Sequence, residues 1–113
     1  MTPRLTSAML VSALVRRADQ QGGSAMILAR GDETAGGILL ITYYKGTDPR
    51  LFERGLGPQG VPALIASGPQ DIEDEQAVSD YWQRRRRFDR DLWVVELDIA
   101  DAERFAAETM NLG

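Results

Sequence analysis

The sequence predicts an α+β fold, in which a mostly antiparallel sheet of four or five strands carries two or three helices packed mainly on one face. Apolar residues recur at helical spacing in two segments, and the run Ile38–Tyr44 is apolar on both faces, as a central strand requires. The element order is helix, hairpin, one or two further strands, helix, strand, helix. A sheet covered on both faces is the alternative packing. A length of 113 residues with 43% hydrophobic side chains is typical of one domain, here residues 1–113.

The first predicted helix covers residues 7–21. Its apolar positions lie three and four residues apart, at Leu10, Val11, Leu14, Val15 and Ala18. Thr6 or Ser7 is the expected N-cap, and the pair Gly22 and Gly23 ends the helix.

Four strands are predicted next. A strand over residues 24–30 and the polar turn 31–36 are expected to form a hairpin with Ile38–Tyr44. A third strand covers residues 50–56, and Glu53 and Arg54 mark it as exposed. A fourth covers residues 61–67, where Pro62 restricts it to a sheet edge or a strand start.

The second helix begins among the caps and acids of residues 71–75 and ends in four consecutive arginines, residues 84–87. Its predicted apolar stripe consists of Ala77, Val78, Tyr81, Trp82 and Phe88. A buried strand over residues 92–97 follows, and Asp101 is the expected cap of a short last helix.

Composition excludes several classes of catalyst. The chain has no histidine and no cysteine, so Ser-His-Asp and Cys-His nucleophiles, zinc fingers and thiol redox chemistry are excluded. No loop has the spacing of a calcium or magnesium site, so we expect no metal and no cofactor. Without disulfides, an N-terminal signal or an apolar run of the ~18 residues that a membrane span needs, we expect a cytoplasmic protein that does not contact membranes.

The four arginines suggest nucleic-acid binding, because they lie between two aromatic residues, Trp82 and Phe88. Successive helical residues point about 100 degrees apart, however, so the arginines form no single strip. The half of the chain around them, residues 59–113, has six basic and twelve acidic residues. We therefore expect a solvated or salt-bridged helix end without nucleic-acid binding, in which Arg84 and Arg87 are the candidates for recognising an acidic surface.

Acidic residues follow the arginines. The candidates for a binding site, for acid–base catalysis or for holding a divalent metal are Asp89, Asp91 and Glu96, and Asp98 lies on the same alternating side of the strand as Glu96. The simpler interpretation is structural, because an aspartate at a turn commonly accepts hydrogen bonds from backbone N–H groups. Trp93 is in the same way a candidate ligand platform, although core packing is the simpler interpretation.

Two segments of the chain resemble a known family. The string RRADQQGGSAMILARGDETAGGILL, residues 16–40, and the string RRFDRDLWVVELD, residues 86–98, resemble short bacterial proteins grouped as domain of unknown function 1491. A proline is common between the two aspartates of the second string in that family, where this chain has Arg90. The resemblance implies a small stand-alone cytoplasmic protein and supplies no activity or catalytic residue.

No catalytic residue is assigned, and the leading functional prediction is a non-catalytic module that binds another protein or forms a homodimer. Exposed edge strands and the arginine–aspartate corner motivate it. The alternative is a small-molecule-binding protein or a carboxylate-dependent enzyme that uses Asp89, Asp91 and Glu96. Convergence of these carboxylates in a pocket would favour the alternative.

Overall fold

The structure, a computed structural model, describes residues 5–112. Its helices and strands are, in chain order, α1 Ser7–Gln20, β1 Ser24–Ala29, β2 Ile38–Tyr44, β3 Thr47–Leu56, β4 Pro62–Ala66, α2 Glu75–Phe88, β5 Trp93–Asp98 and α3 Ala102–Thr109. The strands form one sheet in the order β1-β5-β2-β3-β4, in which only the β5 and β2 pair is parallel. The predicted α+β class and its mostly antiparallel sheet are confirmed.

The predicted hairpin between the first two strands is wrong. β1 pairs with β5, and β5 lies between β1 and β2. Burial explains the difference, because β5 is enclosed on both faces over most of its length and needs an interior position. β1 instead exposes Ser24 and Met26, which suits an edge strand. The segment 30–37 therefore crosses the end of β5 and does not close a tight turn.

A tight hairpin does join β2 and β3. Its two central residues, Lys45 and Gly46, have φ values of 52° and 75°, the backbone sign of a type I′ turn. β3 consequently begins at Thr47, earlier than predicted. The fourth strand is an edge strand that starts at Pro62, as predicted. Glu53 is half-buried, so its predicted exposure is wrong; its partners on α2 were not visible in the sequence.

α1 and α3 pack on one face of the sheet and build the larger core. Leu14 of α1, Phe105 of α3 and Trp93 of β5 belong to the same cluster of buried side chains. Burying a side chain of this size stabilises the fold by about 1.5–3 kcal/mol. Thr6 is the N-cap of α1, as predicted, and its hydroxyl accepts a hydrogen bond from the Met9 N–H at 3.2 Å. Both faces of the sheet are covered, since α2 lies on the opposite one.

α2 packs on its face mainly through Val78, Tyr81 and Trp82, of which only Val78 is fully buried. Its N-cap is Asp74, whose carboxylate accepts a hydrogen bond from an N–H of the first turn at 2.9 Å. The predicted stripe is wrong at Ala77, which is exposed, and at Phe88, which is 87% exposed. The helix ends at this residue, so the ring lies past the part of α2 that packs on the sheet.

Candidate functional site

Asp89 and Asp91 lie at the corner where α2 turns into β5. The Asp89 carboxylate accepts a hydrogen bond from the Asp91 N–H at 3.1 Å, and the Asp91 carbonyl accepts one from the Asp32 N–H at 3.0 Å. A Cβ atom on Gly31 or Gly36 would lie 2.1 Å from that carbonyl oxygen, so the approach of the chain requires glycine. These contacts hold the corner together through Asp89 and the backbone, and no hydrogen bond to the Asp91 carboxylate is found within residues 5–112.

Trp93 lies in the core and not on a surface. It is 1% exposed, and its indole N–H donates a hydrogen bond to the Asp32 carbonyl at 2.8 Å. The Arg30 guanidinium lies 5.5 Å from the ring centroid, within the range of a cation–π contact. Because side chains alternate along a strand, Trp93 faces α1 and α3 whereas Glu96 faces α2.

The four arginines at the end of α2 diverge, as their helical spacing predicts. Arg85 points toward the sheet, and the Arg86 guanidinium donates a hydrogen bond to the Leu92 carbonyl at 3.0 Å. Arg84 and Arg87 are exposed, and neither has an acidic partner within 4.0 Å in the described part of the chain. The helix end is therefore solvated at Arg84 and Arg87.

Arg85 completes a closed set of hydrogen bonds with Glu53, Ser67 and Tyr81, which we call the polar cluster. Two guanidinium nitrogens of Arg85 contact the two carboxylate oxygens of Glu53 at 2.6 and 2.7 Å, a bidentate geometry. The Ser67 hydroxyl donates to Glu53 at 2.6 Å, and the Tyr81 hydroxyl lies 3.1 Å from Arg85. The cluster ties α2 to β3 and satisfies every charge that it contains.

The polar cluster shifts the pKa values of its charged members in opposite directions. The hydrogen bonds from Arg85 hold the pKa of Glu53 below its usual range, against the raising effect of burial. The same bonds raise the pKa of Arg85. Both shifts favour the ionised pair, so the cluster remains charged over the physiological pH range.

A second feature on this face is a cavity of about 250 Å³, which we call the acidic pocket. Three carboxylates line it, from Glu75 of α2 and from Glu96 and Asp98 of β5. The side chains of Tyr43 and Trp82 also line it, and among residues 5–112 neither a lysine nor an arginine contributes to the lining.

Glu96 is the least favourably placed carboxylate of the acidic pocket. Partial burial raises its pKa, and the negative charges of Glu75 and Asp98 raise the pKa further. Burial and the charges of Glu96 and Glu75 also raise the pKa of the Tyr43 hydroxyl. A binding cation would relieve this accumulation of negative charge.

Asp98 lines the pocket and also binds the backbone of the β2–β3 turn. Its carboxylate oxygens accept hydrogen bonds from the Lys45 N–H and the Gly46 N–H, both at 2.8 Å, and so fix the β2–β3 turn beside the cavity. The pocket thus lies at the carboxyl ends of β2 and β5, the parallel pair of the sheet. Crevices at the carboxyl ends of parallel strands are common ligand sites.

The acids of the predicted enzyme alternative do not converge. Asp89 and Asp91 precede the first residue of β5, whereas Glu96 lies near the strand's other end. The five residues from Asp91 to Glu96 correspond to about 16 Å of extended chain. Of the three, only Glu96 lines the acidic pocket.

The sequence predictions group Asp98 with Glu96 as candidate acids, but they assign Glu75 no role in a site. The alternation of Glu96 and Asp98 along β5 does place both carboxylates on one face. No local pattern indicates that the start of α2, about twenty residues earlier, returns to that face. Within residues 5–112, no three acidic side chains form a group that could hold a metal ion. None of the described helices is long and apolar enough to span a membrane.

The chain is similar to proteins of known structure but not of stated activity. A family model described as a protein of unknown function, DUF1491, matches residues 5–107. The crystal structure of a DUF1491 family protein from Caulobacter crescentus CB15 is 31% identical, covers 89% of this chain and 94% of its own, and has a TM-score of 0.76.

Two solution structures are also similar. The NMR structure of a DUF1491 family protein from Caulobacter crescentus CB15 is 31% identical over 92% of this chain and 94% of that chain, with a TM-score of 0.72. Protein Atu0922 from A. tumefaciens is 28% identical over 88% of this chain and 89% of that chain, with a TM-score of 0.71. No curated protein matches the chain.

Proposed function

The chain belongs to the DUF1491 family, and we propose that it is a non-catalytic protein-binding module. In this proposal, the acidic pocket receives a basic side chain of the partner protein. The proposal starts from the pocket because the family is described as one of unknown function. The observation that carries the proposal is the set of three carboxylates in one cavity, which no lysine or arginine of the described residues lines. A guanidinium or ammonium group would supply the missing positive charge.

Charge supports this choice of ligand. Glu96 is half-buried with a raised pKa, so its ionised form is destabilised in the free protein. A partly buried carboxylate has already lost part of its hydration. It therefore gains more interaction free energy from a bound cation than a fully hydrated carboxylate does. The same charges disfavour phosphates, so the proposal includes no binding of nucleic acid through this pocket.

Size and shape support a side chain rather than a larger free ligand. A cavity of about 250 Å³ is smaller than the ~300–1,000 Å³ of ordinary small-molecule sites. The aromatic side chains of Tyr43 and Trp82 line the cavity, and cation–π contacts with such rings contribute about 0.5–2 kcal/mol depending on desolvation. Arginine, which combines charge with a flat apolar surface, is the best match.

A second candidate function is favoured by the raised pKa of Glu96. A carboxyl group whose pKa moves toward neutrality is suited to general acid–base work on a small cationic molecule. The predicted partners of Glu96 in such an enzyme, Asp89 and Asp91, lie outside the pocket, which leaves Glu96 with Tyr43 and Asp98. Turnover of an amine substrate that the Glu96→Gln variant loses would favour this candidate.

The proposed binding is tested by titration of the labelled protein with N-acetyl-arginine amide, observed by NMR. We expect saturable shifts at the amides of Tyr43, Gly46 and Trp82. We also expect an affinity loss of about fivefold or more in Glu96→Gln, which corresponds to about 1 kcal/mol. Glu33→Gln is the matched control, since Glu33 is an exposed acid outside the pocket. Equal binding by the two variants would refute the proposal.

The proposal places this activity in the bacterial cytoplasm. Separate periplasmic, membrane and cytoplasmic fractions of cells that express the chain with a small epitope tag test the location directly. Recovery in the periplasmic or membrane fraction would remove this part of the proposal and leave the pocket chemistry unaffected.

A further inference from the structure

The last turn of α2 presents an aromatic ring and two arginines to solvent. Phe88 is 87% exposed, and Arg84 and Arg87 precede it by four residues and one residue. Side chains at positions i, i+3 and i+4 are neighbours on a helix surface, so these three form one continuous patch. We call Arg84, Arg87 and Phe88 the basic tip. Scattered exposed apolar residues are ordinary, but this ring neighbours two arginines that have no ionic partner in the described residues.

We propose that the basic tip of one molecule docks into the acidic pocket of a second copy of this chain. The inference rests on the function proposed above and names its partner. The tip supplies two guanidinium groups and a ring, and the pocket supplies three carboxylates with the rings of Tyr43 and Trp82. Arginine and aromatic side chains are also the residue types that contribute most at protein interfaces.

The fold allows both contacts to form at once. The tip is the last turn of α2, and the pocket is lined by Glu75 and Ser79 from the first turns of the same helix. Glu75 and Arg84 are nine residues apart on α2, which corresponds to about 14 Å along the helix axis, so the acidic start of the helix and the tip occupy separate positions on it. In a pair related by a two-fold axis, the tip of each molecule meets the pocket of the other, and the assembly closes at two copies.

Two charge effects limit the strength of this pair. Each chain has a net charge of −4, so two copies repel at long range. Asp89, the C-cap residue of α2, directly follows Phe88, and its negative charge reduces the net positive charge of the tip. Local attraction between the tip and the pocket acts within a Debye length, which is about 8 Å at physiological salt. We therefore expect a weak dimer, with a dissociation constant on the order of micromolar to hundreds of micromolar.

Sedimentation velocity of the full chain from about 10 µM to about 1 mM tests the inference over the range of weak protein pairs. The tip variant is Arg84→Glu with Arg87→Glu, and the pocket variant is Glu75→Lys with Glu96→Gln. We expect each variant alone to dimerise at least about tenfold more weakly than the native chain, an effect of about 1.4 kcal/mol. A mixture of the two should recover association, because it contains an intact tip and an intact pocket.

A matched control carries the same change of charge elsewhere. Arg16→Glu with Arg54→Glu alters two exposed arginines outside the tip and the pocket, and it should leave dimerisation unchanged. Circular dichroism checks that the variants fold. Should the pocket variant unfold, the tip variant and Phe88→Ser still decide the question, because their side chains are exposed.

A chain that remains monomeric up to about 1 mM overturns the inference, and so does association that the tip variant leaves intact. If the monomer still binds N-acetyl-arginine amide in the pocket, the proposed function survives without this partner. If it binds no cation either, the proposed function fails as well.

Discussion

Two glutamates face the same helix from the same side of the sheet, yet their environments are opposite. Glu53 of β3 accepts two hydrogen bonds from Arg85 and one from Ser67, and its pKa is lowered. Glu96 of β5 has a raised pKa, because of its partial burial first and of the charges of Glu75 and Asp98 second. Burial raises the pKa of both glutamates, so the hydrogen bonds that Arg85 donates to Glu53 account for the opposite directions.

The comparison separates two uses of a half-buried carboxylate. The polar cluster supplies a cation from within the chain, and its result is a fixed attachment of α2 to β3. In the described part of the chain, no lysine or arginine lines the acidic pocket, which leaves its carboxylates able to accept a cation from another molecule. If Glu96 served only stability, replacing it with a neutral residue would increase the free energy of unfolding, because the repulsion between the carboxylates would decrease.

Removing Arg85 should abolish the difference between the two sites and cost the most stability. Arg85→Ala leaves Glu53 half-buried without its cation, and we expect a loss of about 2–3 kcal/mol in the free energy of unfolding. Urea denaturation at neutral pH measures it. Arg84→Ala, which changes an exposed neighbour, should stay within about 0.5 kcal/mol. Equal losses in both variants would show that the polar cluster is only a surface ion pair.

Neutralising Glu53 should decrease the free energy of unfolding by less than removing Arg85, and the size of this decrease should depend on pH. The folded state lowers the pKa of Glu53, so its ionisation contributes stability above the unfolded pKa of about 4.3. That contribution is lost as the pH falls through the lower, folded pKa. Glu53→Gln should therefore be about 1 kcal/mol less stable than the native chain at pH 7, and this difference should shrink in acid. A difference that stays constant from pH 7 to pH 3 contradicts the assignment.

Removing the Tyr81 hydroxyl should decrease the free energy of unfolding by less than either change above. Tyr81→Phe removes its contacts with Arg85 and Ser67 but keeps the ring against the sheet. We expect a loss of about 0.5 kcal/mol, because Glu53 still holds both remaining partners. Thermal unfolding followed by circular dichroism is sufficient. A loss as large as that of Arg85→Ala would mean that the hydroxyl, and not the bidentate pair, organises the polar cluster.

Neutralising Glu96 should produce the smallest change, with the opposite sign. The folded state raises the pKa of Glu96, so stability falls as the pH rises from the unfolded pKa through the higher, folded pKa. Glu96→Gln removes this loss and should stabilise the protein by a few tenths of a kcal/mol at pH 7. Below the unfolded pKa of about 4.3 the two chains should be equally stable. If Glu96→Gln instead decreased the free energy of unfolding at pH 7, Glu96 would be a structural carboxylate like Glu53.

Local patterns in the sequence determined the elements of this protein. Leu10, Val11 and Leu14 at helical spacing fix α1, the doubly apolar run Ile38–Tyr44 fixes an interior strand, and Pro62 fixes an edge. The divergence of the four arginines follows from helical geometry alone. The same reasoning failed at Phe88, because periodicity does not tell where a helix passes beyond the sheet that it covers.

Only the tertiary structure decided which elements meet. The pairing of β1 with β5, the contact between Glu53 and Arg85 and the gathering of Glu75, Glu96 and Asp98 all join residues that are far apart in the chain. Such contacts depend on strand order and on the path of α2 across the sheet, and these are set by the burial of whole faces rather than by neighbours in sequence. The acidic pocket is therefore a property of the packed fold, because no segment of the chain contains it.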